Sequence, residues 1–152
     1  MATPSPTRTP AQQRSVSLRV RRTFQAPRER VFRAWTSAEE LKRWHAPPLH
    51  TTSLAEVDPR VGGRYRIHML APDGAEHRVT GVYREIDPPK KLVFTWTWEG
   101  SAMGDTLVTV EFLDRGATTE LILTHELFPS EDARDQHEAG WNGVLDRLAQ
   151  AL

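Results

Sequence analysis

The chain contains no cysteine, so it can form no disulfide, present no thiol nucleophile and offer no thiolate to a metal. A reducing cytoplasm is therefore the default expectation for its compartment. It also lacks any apolar run near the ~20 residues that span a bilayer, and no membrane role is expected. Net charge is missing as well, because twenty basic and twenty acidic side chains cancel. That balance argues against a nucleic-acid or anionic-membrane surface, which needs an excess of clustered Lys and Arg. His125-Glu126 and His137-Glu138 each lack a second histidine four residues after the first, so neither is a zincin pair. No serine lies in Gly-x-Ser-x-Gly. Gly62-Gly63 is followed by neither Gly-Lys-Ser/Thr nor a helix pattern, which makes it a turn and not a phosphate loop. No metal, no cofactor and no catalytic residue is expected.

What is present divides into a tail and one domain. Residues 1–14 hold three prolines and only Met1, Ala2 and Ala11 as apolar residues. Such a segment buries too little to offset its ordering entropy, and it has no apolar core of a signal peptide. A disordered tail over 1–14 and a single domain over 15–152 are expected.

The domain begins with alternation over Val16 to Gln25, the pattern of a strand with one buried face. Ala26-Pro27 ends it. Val31, Phe32 and Trp35 then form a helical stripe, and Ser37 with Glu40 three residues on predicts a capping box for a second short helix. Pro47-Pro48 stops that helix. Six strands follow, over Thr51–Val57, Arg64–Leu70, Glu76–Ile86, Lys91–Trp98, Thr106–Leu113 and Thr118–Leu127. They are joined by turn signals such as Pro72-Asp73-Gly74, Asp87-Pro88-Pro89 and Asp114-Arg115-Gly116. Hairpins in succession predict an antiparallel meander. A final helix is expected from Ser130 to Leu152, with Trp141, Val144, Leu145, Leu148 and Leu152 on one stripe.

The strand Lys91–Trp98 puts Leu92, Phe94, Trp96 and Trp98 on one face, and only the last helix is long enough to cover it. Gly140 and Gly143 each cost a helix roughly 1 kcal/mol relative to Ala. Their place beside Trp141 predicts either close approach to the sheet or room kept for a ligand, and Gly81 withholds volume in the same region.

Four segments sharpen the expectation: Asp58-Pro-Arg-Val-Gly-Gly-Arg-Tyr, Pro72-Asp-Gly, Ile86-Asp-Pro-Pro-Lys-Lys-Leu-Val-Phe-Thr-Trp and Gly140-Trp-Asn-Gly-Val-Leu-Asp-Arg-Leu-Ala. In this order they resemble the signature segments of proteins similar to the C-terminal domain of the activator of heat-shock protein 90 ATPase, within the START-like SRPBCC superfamily. The resemblance implies an α+β helix-grip fold, in which a curved antiparallel sheet wraps a long C-terminal helix. One departure is Trp44-His45-Ala46-Pro47, where many relatives resemble Trp-Trp-Gly-Pro. The eukaryotic activator also has a separate N-terminal chaperone-binding domain, which a fourteen-residue tail does not supply.

Aromatic residues with a polar handle on the inner face are the candidate ligand contacts, because a mostly apolar cavity with a few polar atoms is the usual form of a small-molecule site. These are Trp44, Tyr65, Tyr83, Trp96, Trp98, His125 and Trp141. The leading expectation is binding of a small hydrophobic or amphipathic molecule between sheet and final helix. A cyclase-like enzyme, resembling polyketide cyclases and moving a proton through His125, Tyr83 or Glu85, is the alternative. A chaperone-associated interaction module is a third reading, implied by the family name. A monomer or weak homodimer is expected. For His125, burial with a hydrogen-bonded neighbour outweighs an acid–base role, and for Glu85 a solvated rim position outweighs a desolvated one.

Overall fold

The computed structural model describes residues 16–152; the tail expected over 1–14 lies outside them. The elements are β1 (Val16–Phe24), α1 (Arg28–Thr36), α2 (Ala38–Trp44), β2 (Thr51–Val57), β3 (Arg64–Leu70), β4 (Glu76–Asp87), β5 (Lys91–Trp98), β6 (Thr106–Arg115), β7 (Thr118–Phe128) and α3 (Glu131–Ala151). All seven strands form one antiparallel sheet in the order β1-β7-β6-β5-β4-β3-β2. β2 to β7 make the meander that the turn signals predict. β1 returns to the far edge beside β7, so α1 and α2 carry the chain from one edge of the sheet to the other. The fold is an α+β helix grip, as the order of elements implies.

Alternation sets the inner face. Tyr65, Ile67 and Met69 of β3, Val79 and Tyr83 of β4, and Leu92, Phe94 and Trp96 of β5 are buried. The stripe of α3 meets this face through Trp141, Val144, Leu145 and Leu148, all buried. Ser130 starts α3 by accepting a bond from the Ala133 amide at 3.1 Å. The box expected at α2 is half realised. Ser37 Oγ accepts from the Glu40 amide, but the Glu40 carboxylate turns away to Arg30 and Arg33. Two arginines outbid the single backbone amide, since charge-assisted pairs are the stronger bonds.

Two irregularities bear on the site. β1 and β7 slip register between Val16 and Leu18, opposite Phe128 and His125, where Leu127 has φ +71°. This bulge turns both His125 and Phe128 inward, their ring centroids 4.3 Å apart. A second slip between Tyr83 and Glu85 releases Glu85 from the phase of Gly81 and Tyr83. Glu85 is exposed and pairs with Lys91 at 3.1 Å.

Candidate functional site

A cleft of about 380 Å³ opens between the sheet and the N-terminal half of α3. Its sheet wall is Met69, Trp96 and Trp98, and its helix wall includes His137, Gly140 and Trp141. Ser101 and Met103 of the β5–β6 connection and His45 and Pro47 after α2 complete it. Trp96 and Trp141 lie 4.9 Å apart between centroids at its floor. Half-buried Trp98 stands at the mouth, donating its Nε1–H to His137 Nε2 at 2.8 Å. That bond fixes the His137 tautomer: Nε2 accepts, so Nδ1 carries the proton and donates to the Ala133 carbonyl at 2.7 Å. Burial lowers the His137 pKa, against the raising effect of the Ala133 carbonyl.

Behind the cleft is a smaller chamber with about 20 Å³ of free space, walled by Trp35, Tyr65, Tyr83 and Phe94 among others. His45 and Trp96 border both spaces. Tyr65 donates to the Thr95 carbonyl at 2.5 Å. Burial pushes the hydroxyl pKa of Tyr65 well up and that of Tyr83 up as well, so both stay neutral. His45 is 3% exposed, and burial lowers its pKa to about 4. Its Nδ1 has no hydrogen-bond partner, and neither do the indole nitrogens of Trp35 and Trp96.

His125 is sealed away from both spaces. Trp141 Nε1–H donates to His125 Nδ1 at 3.0 Å. His125 Nε2–H must then donate to Thr106 Oγ1 at 2.7 Å, and the Thr106 hydroxyl donates to the Trp96 carbonyl at 2.8 Å. Every polar atom of this buried relay is used, and the histidine sits in the neutral form that the relay requires. Burial first, and His137 second, hold its pKa well below the ordinary value. A satisfied buried histidine is what the relay makes of it.

The seven candidate aromatics therefore separate by location. Trp96, Trp98 and Trp141 line the cleft, and Tyr65, Tyr83 and again Trp96 line the chamber. Trp44 lines neither: it packs edge-on against Trp35 at 4.8 Å and donates to the Ala34 carbonyl. His125 also lines neither. His45 is the residue that sequence reasoning passed over as a site group, although its replacement of an indole was the available signal. The glycines divide too. A Cβ on Gly140 meets open space, whereas one on Gly143 falls 2.6 Å from Pro48 Cδ. On Gly81 it would lie 1.9 Å from the Thr95 carbonyl oxygen and 2.5 Å from the Tyr65 ring. Of these three, Gly140 alone faces open space; Gly81 and Gly143 serve close packing. Of the residues expected to serve cyclase-like chemistry, His125, Tyr83 or Glu85, His125 is sealed, Glu85 is on the surface and Tyr83 lines the chamber. Among the described residues no group of three or more His, Asp or Glu side chains could hold a metal, and no helix is long and apolar enough to cross a membrane.

No curated protein matches the sequence. Solved structures match throughout the domain. A protein from Chromobacterium violaceum is 28% identical, with a TM-score of 0.82 over 88% of this chain and 94% of its own. The AHSA1 protein from Silicibacter pomeroyi is 25% identical, with a TM-score of 0.80 over 89% and 96%. An AHSA1-like protein from Aeromonas hydrophila is 28% identical, with a TM-score of 0.75 over 90% and 91%. The family model described as Activator of Hsp90 ATPase homolog 1-like protein matches residues 25–152, and the chain belongs to that family.

Proposed function

We propose that the protein binds a small apolar or amphipathic molecule in the cleft between the sheet and α3. The observation that carries this reading is the cleft itself, about 380 Å³ walled by Trp96, Trp98 and Trp141 and kept open at Gly140. Close packing is the rule in protein interiors, and ligand pockets occupy roughly 300–1,000 Å³ with mostly apolar walls and few polar groups. The rings are held before any ligand arrives, Trp141 by His125 and Trp98 by His137, which lowers the ordering cost of binding.

The test is titration of the native protein with the neutral dye N-phenyl-naphthylamine. A saturable fluorescence rise with one site is expected, weakened at least fivefold by Gly140→Leu, which fills the cleft from an unobstructed position. Absence of saturable binding to the folded protein would overturn the reading.

A further inference from the structure

Among the described residues five buried side-chain nitrogens lack a hydrogen-bond partner, and three of them belong to Trp35, His45 and Trp96. All three residues line the inner chamber. A buried polar group without a partner costs about 1–3 kcal/mol, so two indole N–H groups and an imidazole nitrogen on residues that line one small space are a standing demand for a polar atom. The chamber's free space of about 20 Å³ holds no more than one small group as it stands. His45 and Trp96 both border that space and the cleft, and of the two His45 carries the smaller ring. Its Nδ1 has no hydrogen-bond partner, and the residue occupies the C-cap of the short helix α2.

The geometry points to the inner chamber as a second compartment of the ligand site, reached past the His45 ring, that takes a neutral oxygen-bearing group, a carbonyl or hydroxyl, of a ligand whose apolar body lies in the cleft. This rests on the ligand-binding reading and specifies its chemistry. The indole N–H groups of Trp35 and Trp96 donate to that oxygen. His45 can accept from a hydroxyl or donate to a carbonyl, depending on its tautomer. A carboxylate is disfavoured, because the ionisable groups that line the chamber, His45, Tyr65 and Tyr83, are all neutral. An anion placed there would be buried without a counter-charge.

Two planar probes of the same shape separate this compartment from a merely greasy cleft: acetylnaphthalene, which carries a carbonyl, and isopropenylnaphthalene, which carries a methylene in its place. An apolar cavity favours the hydrocarbon, since the ketone must surrender its hydrogen bonds to water. Calorimetric titration is expected to show the ketone binding about tenfold more tightly to the native protein, the equivalent of ~1.4 kcal/mol. The carbonyl stretch of the bound ketone should move to lower frequency. Trp96→Phe should erase or reverse the preference, and Trp35→Phe, which touches only the chamber, provides an independent variant if the first folds poorly. A hydrocarbon that binds as well as the ketone, or a preference that survives both substitutions, overturns the polar compartment and leaves the cleft standing. Failure of both probes to bind overturns the compartment and the ligand-binding reading together.

Discussion

Gly140 and Gly143 lie one turn apart on α3 and have opposite reasons to lack a side chain. At Gly143 even a methyl group meets the Pro48 ring at 2.6 Å, closer than real Cβ contacts come, whereas at Gly140 nothing stands within 4 Å. Gly143→Ala is therefore expected to destabilise the protein by about 1–3 kcal/mol through overpacking. Gly140→Ala should stabilise it by up to ~1 kcal/mol, the helix-propensity difference. Urea melts decide the matter, and equal effects at the two positions would contradict the packing described. The sequence told of the glycines but not of these directions, because what a missing Cβ spares depends on a residue ninety-five positions away. The same limit hid His45: its substitution for an indole was visible, its place between two cavities was not. At the histidines the sign of a pH effect follows from burial. His45, His125 and His137 all have lowered pKa values in the folded protein, His45 to about 4. Below the ordinary value of about 6.5 the unfolded chain takes up protons that the folded one refuses, so unfolding gains as pH falls. Stability should be fully present above about pH 6.5 and decline toward pH 5 by up to ~1.4 kcal/mol per pH unit for each histidine. Melts at pH 7 and pH 5.5 check this, and a flat profile would mean that the histidines are not desolvated as described.

Between elements the contact that matters most to the site is Arg147. From the last turns of α3 its Nη1 donates to the carbonyls of Ala46, Pro47 and His50, at 3.1, 3.3 and 2.9 Å. The clamp holds the connection between α2 and β2 against the helix, and with it the Pro47 wall of the cleft and the segment next to His45. Arg147→Met keeps the stem and removes the donors. The expected loss is roughly 1–2 kcal/mol, below the fully buried value for a charged bond because the group is partly solvated. Faster amide exchange should be confined to residues 45–50, and unchanged exchange there would show the clamp to be incidental. Element identities were largely legible, since period-two alternation and the α3 stripe are strong signals and no tertiary contact opposes them. Bulges were not legible. Leu127 takes φ +71° with a side chain that does not favour it, and Glu85 leaves the Tyr83 face through a register slip. Nothing in a local pattern announces an extra residue in one strand; it shows only against the partner strand.

At the scale of the whole molecule, the cleft draws on parts of the chain that unfolding would scatter. Its walls come from the end of α2, from β3 and β5, from the β5–β6 connection and from α3. The cover of helix over sheet was legible from the order of elements and from the excess of aromatic surface on β5. The split into cleft and chamber depends on which rings stand between them and was not. Because no short segment carries the site, a ligand has nothing comparable to bind in the unfolded chain, and binding must appear as global stability. For one site with free ligand at a hundred times its dissociation constant, the gain is about 2.7 kcal/mol. In a domain of this size each kcal/mol moves Tm by roughly 2–6 °C. N-phenyl-naphthylamine at that concentration is therefore expected to raise Tm by on the order of 5–15 °C. Gly140→Leu, with its side chain in the cleft, should show a far smaller shift at the same dye concentration. A dye that brightens without raising Tm would be binding the unfolded or partly unfolded chain, and the cleft would then not be its site.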